Sequence, residues 1–112
     1  MQVSVLDLGD TAARHRRIMR CRATLHLRDG VSVSVRTIDI STMGMSLMSP
    51  QTLSAGQVCE LHFALAVKGK LHPIRAGARV VYDTCQGMEG FRLGLAFTEV
   101  DAARTALINC LN

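Results

Sequence analysis

Two short groups of polar residues have the clearest capacity for chemistry in this sequence. Arg16 and Arg20 form an R-x3-R group inside a basic stretch. Asp39, Ser41 and Gly44 form a D-x-S-x2-G group that begins nineteen residues after Arg20. Arginine presents a flat fork of donors that can grip a phosphate, or the O6/N7 edge of guanine, through two bonds. A carboxylate and a hydroxyl complement the donor edge of the same base, so the functional interpretation is a guanine-nucleotide site.

Each group also has a purely structural interpretation. R-x3-R arises easily in a solvated basic arm before a strand, and Arg14 and Arg17 show how readily such spacings occur here. An Asp and a Ser two residues apart are typical of a turn between strands, where Gly44 would permit a positive φ or a close backbone approach. From the residues of either group alone, both interpretations stay open.

Positive charge is concentrated in one part of the chain. The sequence has 13 Lys and Arg against 9 Asp and Glu, a formal net charge of +4. Seven of the basic residues lie between Arg14 and Arg36, opposed there only by Asp29. This favours a compact anion bound at one place over a long polyanion wrapped across the surface. With three Phe, one Tyr and no Trp, the chain is also poor in rings on which single-stranded bases stack.

Several other classes of function have no support in the sequence. The four Cys and four His are scattered without the short ligand spacings of a zinc site, so we expect no metal and mostly buried free thiols. No Ser/His/Asp or Cys/His set has positional support, so we do not expect an enzyme. There is no secretory pattern and no apolar run of about eighteen residues, which predicts a cytoplasmic protein without membrane insertion.

Strict alternation of apolar and polar residues predicts an all-β domain over most of the chain. Asp29-Gly30 predicts a two-residue type I′ turn between the first two strands. The apolar phase slips by one residue at Thr37-Ile38, directly before Asp39, which predicts a bulge. In a later strand, Tyr82 continues the apolar alternation toward the core.

Only the C-terminal residues break this pattern, because apolar residues from Val100 to Leu111 recur at helical spacing. The predicted fold is an antiparallel six-stranded split β-barrel with a C-terminal α-helix. We expect an N-terminal arm over residues 1–13 and the barrel domain over residues 14–112. Residues 14–20 show no periodicity, so they are expected to form a mobile loop.

The two motifs, in this order and at this separation, resemble the two-part pattern of the PilZ family, bacterial receptors for cyclic di-GMP. The segment Leu93-Gly94-Leu95-Ala96-Phe97 is similar to the family's late L-G-x-x-F strand. Ala76-Gly77-Ala78-Arg79-Val80-Val81 resembles the strand before it, and the final helix is in the expected place. The resemblance implies a non-enzymatic receptor whose ligand is cyclic di-GMP and which carries no cofactor.

Carried over by residue, the resemblance implies that Arg16 and Arg20 grip the phosphates and guanines of cyclic di-GMP. Asp39, Ser41 and Gly44 would line the site from the barrel. Possible secondary contacts are Arg14, His15, Arg17, Arg36 and Arg79. Two departures matter: His15 stands where the residue influences whether one ligand or a stacked pair binds, and Met43 replaces a residue that is often small.

The resemblance further implies an adaptor that transmits the second-messenger signal. The ligand would order the arginine loop against the barrel and so alter an unidentified protein effector in motility, exopolysaccharide or virulence machinery. Two alternatives remain at this point: a small basic β-barrel that binds RNA or DNA, and a PilZ-like protein-interaction domain without nucleotide binding. We expect no DNA partner.

Overall fold

A computed structural model describes residues 16–99 and 102–110 of the chain. The predicted arm at residues 1–13 lies outside these ranges, as do Arg14 and His15. The elements are β1 (Arg17–Ile18), β2 (Arg22–Leu27), β3 (Ser32–Ile40), β4 (Gly44–Ser49), β5 (Val58–Val67), β6 (Lys70–Cys85), a 3-10 turn (Gly87–Glu89), β7 (Phe91–Phe97) and α1 (Ala102–Asn109).

Strands β2 to β7 form a closed antiparallel barrel. They follow one another around it in the order β3-β2-β5-β6-β7-β4, and the pairing of β3 with β4 completes the circle. The short strand β1 is an additional strand that pairs with the end of β3. This architecture, with one C-terminal helix among the described residues, confirms the predicted fold.

The alternation predicted from the sequence fills the barrel interior with aliphatic side chains. Leu25, Leu61, Leu65, Leu47 and Leu93 are fully buried, and they come from β2, β5, β4 and β7. Burying a side chain of this size stabilises the fold by about 1.5–3 kcal/mol relative to leaving it exposed. The polar residues between them therefore face outward, where they are available for binding.

The turn between β2 and β3 differs from the prediction. It contains three residues, closed by a bond from Leu27 N to Val31 O of 2.8 Å and one from Gly30 N to Leu27 O of 3.1 Å. Only Gly30 has a positive φ, at 89°, whereas a type I′ turn also needs one at Asp29. Asp29 instead accepts a bond from Val31 N through its carboxylate, at 3.0 Å. The Asp-Gly pair predicted the hairpin correctly but the turn type wrongly.

Two bulges shift the side-chain phase of the barrel wall. The predicted bulge in β3 is present between Thr37 and Asp39, so Thr37 is buried and Asp39 faces outward. A second bulge in β6, between Val80 and Tyr82, was not predicted. Alternation predicts that Tyr82 points into the core, but the bulge turns its side chain outward and leaves it 39% exposed. The prediction for Tyr82 is therefore wrong.

The basic segment before β2 is held to the barrel, although the sequence predicted a loop. In β1, Arg17 and Ile18 pair with Ile40 and Asp39 of β3. The buried hydroxyl of Thr37 accepts a bond from Cys21 N at 2.9 Å and donates one to the carbonyl of Met19 at 2.5 Å. The bulge in β3 therefore anchors the segment that carries the first motif.

The C-terminal helix α1 packs against the barrel. Its Ile108 side chain is buried, and the guanidinium of its Arg104 lies 5.6 Å from the ring centroid of Phe97. Arg104 also donates to the carbonyl of Glu99 at 2.6 Å. None of the helices in the described ranges is long and apolar enough to cross a membrane.

The cysteines depart from the expectation that most would be buried. Only Cys59 is buried, and burial raises the pKa of its thiol. Cys21 is half-buried, whereas Cys85 and Cys110 are exposed, and all four are free thiols. The exposed cysteines lie at the ends of elements. Cys85 is the last residue of β6, and Cys110 follows α1.

Candidate functional site

The centre of the candidate site is a row of residues that crosses four neighbouring strands on the outside of the barrel. Asp39 of β3 pairs with Ser46 of β4, which pairs with Gly94 of β7, which pairs with Tyr82 of β6. The bulges in β3 and β6 stand at the two ends of this row. Because a bulge re-aims the side chain that follows it, they direct Asp39 and Tyr82 onto the outer surface.

Asp39 is the electrostatic centre of this row. One carboxylate oxygen lies 2.5 Å from an Arg16 guanidinium nitrogen, and the other lies 4.0 Å from Arg92. The same Arg16 nitrogen donates to Ser46 Oγ at 3.3 Å. The Asp39 side chain is 18% exposed, so one face of the carboxylate can still be approached. The ion pair joins the two sequence motifs directly.

The ring of Tyr82 lies over Gly94, in space that the side chain of any other residue at position 94 would occupy. A Cβ at Gly94 would overlap the Tyr82 ring. The phenol oxygen is 3.5 Å from Ser46 Oγ and accepts from Arg92 Nε at 3.4 Å. The ring therefore has a polar edge tied to the same groups that surround Asp39.

This environment changes the acidity of the phenol. Burial by itself would raise the pKa of Tyr82, but the hydrogen bonds with Ser46 and Arg92 and the positive charges of Arg92 and Arg16 outweigh it. The pKa of Tyr82 is consequently lowered from its ordinary value. The hydrogen bond with Tyr82 in turn raises the pKa of Arg92, against the effect of burial. The surface is thus strongly cationic, and it favours negative charge beside it.

Ser41 and Gly44 of the second motif build the turn that starts β4. The Ser41 hydroxyl is buried and accepts a bond from Met43 N at 3.1 Å, while Ser41 N donates to Gly44 O at 2.9 Å. Gly44 lacks a positive φ, but a Cβ there would collide with the backbone carbonyl of Leu95. Of the two roles suggested for this glycine by the sequence, the close backbone approach is the one found.

Arg16 lines a cavity of about 160 Å³ next to this turn. Its walls include Ser41, Gly44, Tyr82 and the exposed side chain of Met43. Pockets that bury a drug-sized ligand measure about 300–1,000 Å³. This cavity is smaller, so it suits one part of a ligand that otherwise lies across the open face.

Arg20 lies in a different place from Arg16. It lines a cleft of about 240 Å³ together with Arg22 and Arg36, and Arg16 is not among the residues of this cleft. Arg22 and Arg36 are direct cross-strand partners, and Arg36 continues through Met48 to Arg92. A row of arginines therefore runs beside the Asp39 row, and one extended ligand would have to span both.

The secondary residues named from the sequence are dispersed. Arg36 lies in the arginine row, as described, whereas Arg17 is half-buried in β1 opposite Ile40. Arg79 is exposed and lines a separate cleft with His26 and Glu99, so it is not brought together with Arg16. Arg14 and His15 lie outside the described residues. Within residues 16–99 and 102–110, no group of three or more His, Cys, Asp or Glu is placed to hold a metal ion.

Sequence reasoning missed Ser46, Tyr82 and Arg92 as site residues. Each acquires its place from strand register, since β4, β7 and β6 meet only after the barrel closes. One signal was available, because Tyr82 is the only tyrosine of the chain and follows two consecutive valines that break the alternation. That break marks the second bulge.

Comparison with solved structures shows the same fold in three proteins. The Bacillus subtilis inhibitor of motility MotI/DgrA is 15% identical over 83% of this chain and 45% of its own, with a TM-score of 0.68. The Borreliella burgdorferi PlzA protein, solved in complex with c-di-GMP, is 17% identical over 99% of this chain and 46% of its own, with a TM-score of 0.61. The PilZ domain of CeSA from a cellulose-synthesizing bacterium is 18% identical over 84% of this chain and 90% of its own, with a TM-score of 0.59.

The chain spans less than half the length of the MotI/DgrA and PlzA chains, so these structures show what its fold is and leave its activity and partners open. No curated protein sequence matches it significantly. The family model of the PilZ domain, however, matches residues 11–112, which include both motifs and every strand of the barrel. The resemblance carried by the two motifs is thereby confirmed, and this chain belongs to the PilZ domain family.

Proposed function

We propose that the protein is a non-enzymatic receptor for cyclic di-GMP. The observation that carries the proposal is the convergence of Arg16 and Arg92 on Asp39, in a row that also holds Ser46 and Tyr82. Membership in the PilZ family, a family of cyclic di-GMP receptors, supports the same conclusion. The PlzA protein of the same fold was solved with this ligand.

The chemistry of the face matches the chemistry of the ligand. Cyclic di-GMP carries two guanines and two phosphodiesters. A site for it therefore needs guanidinium groups to bind the phosphates and hydrogen-bond acceptors for the N1–H and N2–H edge of a base. Arg16 and Arg20, which precede and follow β1 in the sequence, would supply the guanidinium groups, and the Asp39 carboxylate would supply the acceptor. Gly44 and Gly94 keep the wall flat, and the Tyr82 ring offers a surface on which a base can stack.

Roles for the motif residues follow from their contacts. Arg16 would exchange the Asp39 carboxylate for a phosphate or a guanine edge, and Asp39 would then accept from a guanine. Ser41 acts mainly through the turn it closes, since its hydroxyl is buried and already bonded to Met43 N. Gly44 acts by letting β4 and β7 approach closely. Arg36 and Arg92 would add positive charge at the border of the ligand.

Signal transmission would use the exchange of one ion pair for another. Arg17 and Ile18, inside the first motif, pair with β3, and Arg16 forms an ion pair with Asp39. Ligand binding would break this ion pair and replace it by contacts of both side chains with the ligand. The position of the segment around β1 on the barrel would then change. A ligand shifts such an equilibrium only as far as its affinity for the two arrangements differs. A protein partner that reads this segment would register the difference.

Calorimetric titration with cyclic di-GMP tests the proposal, with cyclic di-AMP and GTP as ligand controls. The intact protein is expected to bind cyclic di-GMP, and the binding should be lost in Arg20→Ala and in Asp39→Ala. The matched control is Lys70→Ala, an exposed cation at the β5–β6 turn, which should bind as tightly as the unmodified protein. Absence of binding by the intact protein at high micromolar ligand would contradict the proposal.

A further inference from the structure

One edge of the barrel wall is left open between β3 and β4. Strand β4 pairs with β3 only from Arg36 to Ile40, since β4 ends at Ser49. The first half of β3, from Ser32 to Val35, pairs with β2 on one side. On the other side it has no strand partner within the part of the chain that the structure describes.

The hydrogen-bond pattern shows which backbone groups face this opening. Val31 O accepts from Leu27 N, and Thr37 N donates to Cys21 O, so the odd-numbered residues of β3 turn their backbone groups toward β2 and its lead-in. In an antiparallel ladder the alternate residues face the opposite neighbour. Ser32 and Ser34 therefore present their N–H and C=O groups to the opening. Such an edge is a ready template for one more strand.

The opening is a cleft of about 360 Å³ with a mixed lining. Val35, Met48 and Pro50 supply an apolar floor, while Ser34 brings the free backbone edge. Glu89 stands among the lining residues as their only acidic member. A segment that enters as a strand would meet backbone partners on one side and apolar contacts beneath.

The charge at the mouth of this cleft is unbalanced. Arg22 and Arg36 lie directly opposite each other on β2 and β3, an arrangement of like charges that destabilises a sheet. Neither guanidinium has a hydrogen bond or ion pair with any residue of ranges 16–99 and 102–110. Arg20 adds a third positive charge in the adjoining cleft. A carboxylate placed between Arg22 and Arg36 would relieve this repulsion.

We propose that an extended acidic segment of a partner protein adds as a strand beside Ser32–Val35, with its carboxylates on Arg22 and Arg36. The residues between the acidic ones would turn apolar side chains toward the opposite, interior side of the wall, where Val35 lies, because side chains along a strand alternate in direction. Because Glu89 repels acidic residues, we expect the carboxylates of the added strand to lie beside Arg22 and Arg36 and away from Glu89. As an account of the receptor's partner, the inference rests on the proposed function, but the cleft itself does not depend on the nucleotide.

Two other occupants fit the cleft less well. A second copy of the chain, with the same formal net charge of +4, would bring its own excess of positive charge to this edge. A single-stranded nucleic acid would find phosphate partners, but none of the cleft's lining residues offers an aromatic ring on which a base could stack. The acidic strand satisfies both the charge and the open backbone edge.

The test is fluorescence anisotropy of a short labelled peptide of alternating Glu and Val, titrated with the intact protein in the absence of nucleotide. The same peptide with Lys in place of Glu, and an oligothymidylate, are the probe controls. Arg22→Glu and Arg36→Glu should each weaken binding of the acidic peptide by about tenfold or more. Arg28→Glu, an exposed arginine in the neighbouring turn, is the matched control and should leave binding unchanged.

A second variant separates strand addition from simple charge attraction. Ser34→Pro removes one outward N–H but none of the bonds between β3 and β2, so the circular dichroism spectrum should be retained. Binding of the acidic peptide should nevertheless be lost. If this variant unfolds, the two charge reversals still decide the question.

Several results would overturn the inference. The first is that the intact protein does not bind the acidic peptide, and the second is that Arg28→Glu weakens peptide binding as much as Arg22→Glu and Arg36→Glu do. The third is that the oligothymidylate binds more tightly than the peptide and depends on the same arginines. The fourth is a dimer, detected by sedimentation, that Arg36→Glu makes more stable. Peptide binding by a protein that fails to bind cyclic di-GMP would sink only the proposed function.

Discussion

Two outer faces of the same barrel differ in whether their charged side chains are paired with one another. On the first, which we call the arginine face, the charged residues are Arg16, Arg20, Arg22, Arg36, Arg92 and Asp39. On the second, which we call the paired face, they are His26, His62, Glu60 and Arg75. Glu60 lies 2.5 Å from His62 and 3.8 Å from Arg75. The rings of His26 and His62 are also in contact, at 4.1 Å between centroids.

On the paired face the charged groups are partnered with one another, whereas most cations of the arginine face have no ion-pair partner among the described residues. Of its five guanidiniums, only those of Arg16 and Arg92 lie within 4.0 Å of the Asp39 carboxylate, at 2.5 and 4.0 Å. Exposed ion pairs contribute little to stability, so neither arrangement is needed to hold the barrel together. An excess of cations that the fold does not require indicates a surface for binding anions. Five experiments can break or sharpen this contrast.

The largest effect is expected from adding a methyl group to one glycine on each face. Gly44→Ala places a Cβ against the backbone carbonyl of Leu95, which cannot move without separating β4 from β7. We expect the free energy of unfolding to fall by about 3 kcal/mol in urea denaturation. On the paired face, a Cβ at Gly77 lies 2.7 Å from Thr98 Oγ1, a side chain that can rotate away.

Gly77→Ala is therefore the matched control, with an expected loss below about 1 kcal/mol. Equal losses in the two variants would show that the β4–β7 seam is no tighter than the rest of the barrel. Gly44 would then need a direct role in ligand binding.

An intermediate effect is expected when Gly94 is changed. Gly94→Ala overlaps the Tyr82 ring, which can swing away, so the barrel should remain folded while the ring leaves its place in the row. We expect cyclic di-GMP affinity to drop about fivefold in calorimetry, or about 1 kcal/mol. Tyr82→Ala should reproduce this drop. If both variants bind as the unmodified protein does, Tyr82 takes no part in the site.

A smaller effect concerns the acidity of Tyr82. Since Tyr82 is the only tyrosine and the chain has no tryptophan, tyrosinate absorbance during an alkaline titration reports this residue alone. Arg92→Ala removes a hydrogen-bond donor and a positive charge, so the pKa of Tyr82 should rise toward its ordinary value. Arg75→Ala on the paired face should leave the titration unchanged. A pKa that stays put in Arg92→Ala would contradict the described contact.

The smallest effect is expected from the paired face itself. The hydrogen bond with His62 lowers the pKa of Glu60, against a small opposing effect of burial and with help from the charges of His62, Arg75 and His26. A carboxyl with a depressed folded pKa stabilises the protein above its ordinary pKa of 4.5, and this contribution is lost as the pH falls through the lowered value.

Thermal melts of Glu60→Gln should accordingly show a slightly lower Tm than the unmodified protein at neutral pH. The two melting temperatures should converge in acid, once the pH falls below the lowered pKa of Glu60. A difference that persists in acid would mean that Glu60 stabilises the face by packing and not by charge.

The sequence predicted the architecture correctly and named one half of the candidate site, whose part in binding stays a prediction. Alternation located the strands, the phase slip located the bulge before Asp39, and the motif spacing located Arg16 and Arg20. The other half depends on which strands become neighbours. Ser46, Gly94 and Tyr82 belong to three strands whose register is decided only when the barrel closes, and no local pattern contains that information.

Two errors have specific physical causes. Tyr82 was assigned to the core because alternation was extended through the second bulge, where two consecutive valines had broken it. The first motif was expected to be a loose arm because residues 14–20 lack periodicity. A two-residue strand is too short to show a period, and its anchor, Thr37, lies sixteen residues after Cys21 in the sequence.

The contrast between the two faces is tested most directly by removing one guanidinium from each. Cyclic di-GMP would be titrated calorimetrically into the intact protein, Arg92→Ala and Arg75→Ala under identical salt conditions. We predict that the intact protein and Arg75→Ala bind equally tightly and that Arg92→Ala binds at least about tenfold more weakly. Equal binding by all three proteins, or weakening by Arg75→Ala alone, would contradict the assignment of the ligand to the arginine face.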